Sequence, residues 1–154
     1  MAKRLANIVV HCSDSAWGSA AEIRRWHLEN GWRDIGYHFV ISNGMTRPDF
    51  RVDALDGSVE VGRYLDGDNF ISENEIGAHA LGYNSDSIGI CLIGKTSFTA
   101  RQLGTLLNVL NDLGRRFDVP VTSILGHYET PDANGKTCPN IDMKHVRYLL
   151  GLIK

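Results

Sequence analysis

Five stretches of the chain carry the apolar or alternating patterns of β-strands. They are residues 5–10, 36–42, 57–63, 87–93 and 119–125. The first is a short β-branched run that ends at His11, and the fourth is nearly all apolar, as is typical of a central strand covered on both faces. The second alternates, which predicts that Tyr37, Phe39 and Ile41 share one face of their strand.

Three other stretches show helical spacing of apolar residues, at residues 20–30, 100–116 and 142–153. Ser19 and Glu22 have the spacing of a capping box at the start of the first helix, and Asn30 with Gly31 closes it. Thr99 is placed to cap the second helix. The apolar stripe of this second helix, which is expected to face inward, consists of Leu103, Leu106, Leu107, Leu110 and Leu113.

The order of these elements predicts a mixed α/β fold with one central sheet of about five strands and helices on both faces. Strands and helices alternate, yet an Asn-Gly hairpin signal follows the second strand. Residues 45–56 are predicted to form a long loop or a weak edge hairpin, and residues 66–74 a loop. No repeat or linker divides the chain, so residues 1–154 are expected to form one domain.

Composition excludes several classes of function. The formal net charge of −2 and the pI of about 6.3 give no basic field to draw the chain to nucleic acid or anionic lipid. Three cysteines without regular spacing do not form a disulfide framework. The apolar run before His11 is shorter than a signal peptide requires, so we expect synthesis in the cytoplasm without such a signal. With no apolar stripe left over after the core is assigned, a monomer is expected.

The densest functional chemistry lies between residues 126 and 139, where His127, Lys136 and Cys138 flank a loop of turn residues. His127 would follow one strand directly, as His11 ends another. A lone histidine at a strand end is more often a hydrogen-bonded core residue, but two of them with a cysteine make a catalytic type of zinc site. We therefore predict zinc ligands at His11, His127 and Cys138.

Several residues stay open on their chemistry alone. Lys136 is either a solvated loop lysine or a cation that stabilises an oxyanion, and Tyr37 is either packing or a hydroxyl aimed at the reaction centre. Glu129 is either a surface carboxylate or a partner for a histidine N–H. Cys91 and Cys12 are assigned to the core. Cys138 acting with His127 as a cysteine hydrolase is a weaker alternative.

Five motifs occur in the order found in zinc N-acetylmuramoyl-L-alanine amidases. They are Ile8-Val9-Val10-His11-Cys12-Ser13, Gly36-Tyr37-His38-Phe39-Val40-Ile41, Gly77-Ala78-His79-Ala80-Leu81-Gly82-Tyr83-Asn84, Ser87-Ile88-Gly89-Ile90-Cys91-Leu92-Ile93-Gly94, and Gly126-His127-Tyr128-Glu129 with Lys136-Thr137-Cys138-Pro139. Together they cover nearly the whole chain. The chain most resembles the phage T7 lysozyme branch of this type 2 amidase family, which also includes animal peptidoglycan-recognition proteins.

The resemblance implies the fold and the site. It implies one zinc ion held by His11, His127 and Cys138, with Tyr37 and Lys136 as the catalytic pair. It also implies that a further group forms a wall of the substrate groove, namely His79, Tyr83 and Asn84. Other branches of the family have aspartate at the position of Cys138, so the cysteine itself indicates the phage-lysozyme branch. The loops at 45–56, 66–74 and between His127 and Cys138 look longer than in close relatives.

The resulting hypothesis is hydrolysis of the amide between N-acetylmuramic acid and L-alanine of peptidoglycan, by a phage endolysin that waits in the host cytoplasm for a holin. A cytoplasmic amidase that recycles muropeptides and a non-catalytic peptidoglycan-recognition module are the alternatives. The resemblance also suggests a phage RNA polymerase as a binding partner. The short segment before His11 argues against carrying that partner over.

Overall fold

The computed structural model describes residues 2–153, which form nine strands and three α-helices. The strands are β1 (Lys3–Arg4), β2 (Asn7–Cys12), β3 (Phe39–Ile41), β4 (Met45–Arg47), β5 (Phe50–Arg51), β6 (Val59–Val61), β7 (Phe70–Ile71), β8 (Ser87–Leu92) and β9 (Ile124–Gly126). The helices are α1 (Ala20–Glu29), α2 (Ala100–Arg116) and α3 (Met143–Leu152).

Five strands form the central sheet in the order β6-β3-β8-β2-β9. The pairs β3–β8, β8–β2 and β2–β9 are parallel, and only the edge strand β6 runs antiparallel, against β3. The prediction of one mixed sheet of about five strands is therefore confirmed. Parallel pairing matters for function because it brings the carboxyl ends of β2, β8 and β9 to the same edge of the sheet.

Helices cover both faces of this sheet, as predicted. Alternate residues of β3 and β8 enter two separate apolar clusters, and Ile8 and Val10 of β2 enter the larger one. The larger cluster packs the sheet against α2 and α3, through side chains such as Leu106, Leu110 and Val146. The smaller one packs it against α1, through Ala20 and Ile23. Among the described residues, the smaller cluster includes none from β2 or β9, and a cleft lies at the ends of these strands instead.

The helix boundaries follow the capping signals. Ser19 accepts a hydrogen bond from the backbone N–H of Glu22, and Asp142 accepts from the N–H groups of Lys144 and His145. Thr99 and Gln102 form a reciprocal capping box at α2.

Within residues 2–153 no helix is long and apolar enough to cross a bilayer.

Three local predictions need correction, and one open alternative is resolved. The strand predicted at 119–125 is shorter than expected, because Val121–Ser123 forms a 3-10 helix and β9 begins only at Ile124. The loop predicted at 66–74 contains β7, which pairs with β1, and neither two-residue strand was predicted. Of the two alternatives for residues 45–56, the hairpin is correct, since β4 pairs with β5. Tyr37 does not share a face with Ile41. Regular strand begins only at Phe39, and Tyr37 packs instead with the cluster on the α1 side.

Candidate active site

Two histidines meet where β2 and β9 end. Val10 of β2 is in register with Gly126 of β9, so His11 and His127 lie one residue further along adjacent parallel strands. The centroids of their rings are 4.6 Å apart. His11 is on the same side of the sheet as α1, in the part that the helix leaves open.

Cys138 reaches this pair from the loop after β9. Its carbonyl accepts the backbone N–H of Tyr128 at 2.8 Å, and its Sγ accepts the backbone N–H of Cys12 at 3.1 Å. One donor atom from each of His11, His127 and Cys138 lies within 4.8 Å of the others. The structure thus brings together the three side chains that the sequence predicted as ligands, from three separate segments.

The chemistry of this donor set fits a zinc ion. Two imidazoles and one thiolate are ligands that zinc prefers, and three protein ligands leave a coordination position open. His11 is almost completely buried, and burial, with His79 and His127 nearby, lowers its pKa well below the ordinary value. The imidazole is therefore neutral near pH 7, which is the form that binds a metal.

The second ring nitrogen of each histidine already has a partner. His11 Nε2 lies 2.9 Å from Nδ1 of His79, and His127 Nε2 lies 3.3 Å from Oδ2 of Asp132. Partners of this kind orient the ring of a metal-binding histidine. The Nδ1 atoms of His11 and His127 are the nitrogens left over for a metal.

Asp132 is a residue of the candidate site that the sequence analysis missed. It accepts hydrogen bonds from the Thr130 hydroxyl at 2.6 Å and from the backbone N–H of Leu81 at 2.9 Å, in addition to His127. Although burial opposes ionisation, these donors hold the pKa of Asp132 below its usual range. The sequence analysis interpreted the stretch that contains Asp132 only as turn residues. The signal that could have indicated a contact with His127 was the position of Asp132 five residues after it.

Glu129 does not take the role that one interpretation gave it. Its carboxylate forms a bidentate pair with Arg147 of α3, at 2.8 Å for both contacts, and accepts the backbone N–H of Gly126. It binds neither histidine. Glu129 therefore fixes the turn that carries His127 against α3, and Asp132 is the carboxylate that holds the ring.

Tyr37 and Lys136 both line the cleft above the ligand cluster, which has a volume of about 540 Å³. The Tyr37 ring is half-buried and lies 5.1 Å from the His11 ring, centroid to centroid. Burial, with the sulfurs of Cys91, Cys138 and Cys12, raises the pKa of Tyr37 well above its ordinary value, so its phenol keeps its proton. Lys136 is exposed at the rim.

The three residues predicted as a groove wall differ in their positions. His79 lines the cleft but is only 8% exposed. Asn84 Oδ1 accepts the backbone N–H groups of His79 and Ala80, and the Tyr83 carbonyl accepts the Ser87 hydroxyl. Tyr83 and Asn84 are not among the residues that line the cleft. Contact between substrate and any of the three stays a prediction.

Two cysteines were assigned to the core, and both are buried. Cys91 lies inside the α1-side cluster. Cys12 also touches the site, because its Sγ is 3.7 Å from Sγ of Cys138. The loops at 45–56 and 66–74 contribute no residue to the lining of the cleft.

Comparison with known proteins identifies the family of the chain. The family model described as N-acetylmuramoyl-L-alanine amidase matches residues 1–141. The endolysin of Enterobacteria phage K11 is 35% identical over 146 residues, which cover 88% of this chain and 80% of that protein. The endolysin of Escherichia phage T7 is 36% identical over 148 residues, with coverages of 89% and 82%.

Solved structures show the same architecture. The N-acetylmuramoyl-L-alanine amidase LysC from Clostridium intestinale has a TM-score of 0.74 at 22% identity, covering 98% of this chain and 90% of that one, and this likeness concerns the fold alone. Drosophila PGRP-LB has a TM-score of 0.63 at 27% identity, with coverages of 90% and 79%. With a family model that spans nearly its whole length, the chain belongs to the N-acetylmuramoyl-L-alanine amidase family.

Proposed function

We propose that this protein is a zinc-dependent amidase that cleaves the bond between N-acetylmuramic acid and L-alanine in peptidoglycan. The observation that carries the proposal is the convergence of His11, His127 and Cys138 within 4.8 Å, at the floor of a cleft that also holds Tyr37 and Lys136. Membership of the amidase family supports the substrate class.

A bound zinc ion would supply Lewis acidity in this cleft, for polarising the amide carbonyl and for activating water. The chain supplies what surrounds that chemistry. Tyr37 keeps its proton and donates a hydrogen bond to the oxyanion of the tetrahedral intermediate. The Lys136 ammonium adds a positive charge at the rim of the same cleft, and its exposure lets it follow the substrate.

We also propose that the protein acts on the intact cell wall, as an endolysin that reaches the wall after a holin opens the membrane. Similarity of 35–36% identity to the phage endolysins supports this assignment over a recycling amidase. Lysis of whole peptidoglycan, compared with cleavage of soluble muropeptides, separates the two.

The first experiment measures zinc content together with the turbidity of a peptidoglycan suspension, before and after chelation. We expect about one zinc per chain, clearing that stops on chelation, and recovery when zinc is added. The products should carry new amino termini of L-alanine and no new reducing sugar ends. One zinc without any cleavage would favour a peptidoglycan-recognition module. No zinc with cleavage intact would refute the ligand assignment.

Two substitutions at one position separate a metal ligand from a nucleophile. Cys138→Asp replaces the thiolate with another zinc ligand, and Cys138→Ala removes any ligand. A metal site predicts that the Asp variant retains zinc and measurable activity while the Ala variant loses both. If Cys138 were instead the nucleophile of a cysteine hydrolase, both variants would lose activity, whether or not the Asp variant retained zinc.

A further inference from the structure

A chain of hydrogen bonds runs away from the ligand cluster into the protein. His11 Nε2 lies 2.9 Å from His79 Nδ1, and His79 Nε2 lies 3.2 Å from the Ser87 hydroxyl oxygen. The Ser87 hydroxyl in turn donates to the carbonyl of Tyr83 at 2.6 Å. His11 and His79 are almost completely buried, and Ser87 completely.

The carbonyl at the end of the chain sets the direction of every proton in it. A carbonyl only accepts, so the single hydroxyl proton of Ser87 is committed to Tyr83. Ser87 must then accept from His79, which places the proton of that ring on Nε2. The free Nδ1 of His79 consequently accepts from His11, and the His11 proton lies on Nε2. His11 Nδ1 is left with a lone pair for a metal.

The space around His79 is shaped for an imidazole. A Cβ at Gly89 of β8 would lie 2.6 Å from the His79 ring, and a Cβ at Gly77 would lie 2.8 Å from it. Glycine at both positions makes room for the ring. The backbone of His79 is itself fixed, because Asn84 Oδ1 accepts its N–H at 2.8 Å. The His79 ring meets the His11 ring edge-on, with an interplanar angle of 89°.

We propose that His79 is a positioning residue, which orients the His11 ring and fixes its proton on Nε2 so that Nδ1 faces the metal. This proposal rests on the proposed zinc function. It also limits the part that His79 can take in binding substrate, since both of its ring nitrogens are occupied. Only the ring edge that borders the cleft is left for such a contact.

Zinc affinity of two variants tests the proposal. Asparagine can place its Oδ1 near the position of the histidine Nδ1, so His79→Asn keeps an acceptor for His11, whereas His79→Leu fills the space without one. We expect the zinc Kd, measured by competition with a chelator, to rise about 10- to 100-fold in the Leu variant and only a few-fold in the Asn variant. His145→Leu, at an exposed position of α3, is the control and should leave the Kd unchanged.

Two results would overturn the positioning role. The first is an unchanged zinc Kd in the Leu variant. The second is an equal loss of zinc affinity in the Leu and Asn variants, which would mean that the shape of the His79 ring matters and its hydrogen-bond acceptor does not. Failure of the wild-type protein to bind zinc would instead refute the proposed function and leave the hydrogen-bond chain to be tested separately.

That separate test needs no variant to fold. In the zinc-free wild-type protein, ¹⁵N chemical shifts of the histidine rings report which nitrogen carries the proton. We expect His11 and His79 both to be protonated on Nε2 and unprotonated on Nδ1. A proton on Nδ1 of either ring would break the chain and overturn the proposal.

Discussion

The hydroxyl of Tyr37 can be removed without removing its ring. Tyr37→Phe keeps the ring that packs against His11 but removes the hydroxyl. That hydroxyl holds its proton in the wild type because the pKa of Tyr37 is raised. We expect kcat on a defined muropeptide to fall about 10²- to 10³-fold, which is typical of losing one oxyanion donor. Zinc content should not change. If zinc were lost together with activity, Tyr37 would support the ligands and not the reaction.

The charge of Asp132 can be removed in a similarly small step. Asp132→Asn keeps the shape of the side chain but no longer offers His127 an anionic acceptor. We expect the zinc Kd to rise by about tenfold, the lower end of the range for partners of metal-binding histidines. Asp118→Asn is the matched control, because Asp118 is exposed and is not among the residues that line the cleft, and this variant should bind zinc like the wild type. Equal affinity of all three proteins would contradict a role for Asp132.

At the level of residues, the sequence predicts which candidate ligands come together better than it predicts their hydrogen-bond partners. His11 and His127 were accessible to prediction because both follow apolar strands, and parallel strands bring their ends together. Asp132 was not, because its Pro131-Asp132 context is ordinary turn chemistry. The hydrogen bond between His11 and His79 joins residues 68 apart in the chain, and no local pattern predicts such a contact.

At the level of elements, α3 anchors the segment that carries His127. Arg147 of α3 binds both carboxylate oxygens of Glu129 and also donates to the carbonyl of Ile124. Arg147→Leu should lower the free energy of unfolding by about 1–3 kcal/mol, since it leaves a partly buried carboxylate without its charged partner. Urea denaturation measures this loss. Arg25→Leu, which removes exposed ion pairs on α1, should cost little. Equal effects of the two substitutions would contradict the anchoring role.

The elements that the sequence predicts correctly lie in stretches long enough to show a pattern. The strand at Ser87–Leu92 lies in a continuous apolar run, and the helix at Ala100–Arg116 repeats its apolar spacing over several turns. β1 and β7 have two residues each, and two residues show no period. Tyr37 shows a different limit. Alternation places a side chain only where the backbone is a regular strand, and the strand begins two residues later.

For the whole molecule, the buried His38 makes stability depend on pH. Its Nδ1 accepts the N–H of Gly89 and its Nε2 donates to the carbonyl of Glu75, and burial lowers its pKa to about 4. The unfolded chain takes up this proton near pH 6.5, whereas the folded protein does so only near pH 4. The free energy of unfolding therefore falls as the pH is lowered through this window.

The size of this effect follows from the two pKa values. Between pH 7 and pH 5 the contribution of His38 amounts to about 2 kcal/mol of lost stability. His38→Gln offers an acceptor and a donor but does not titrate, so its stability should fall by about that much less over the same interval. Urea denaturation of both proteins at the two pH values measures the difference. Identical pH dependence would contradict the assignment.

Zinc should also stabilise the whole fold, because the three proposed ligands come from β2, from the turn after β9 and from the loop that carries Cys138. An ion that binds the folded state alone adds about 2.7 kcal/mol at a free concentration of 100 times Kd, which is a rise in Tm of roughly 5–10 °C for a chain of this size. Thermal unfolding with added zinc and with chelator measures the shift. Cys138→Ala should show almost none of it, whereas an equal shift in that variant would place the stabilising ion elsewhere on the protein.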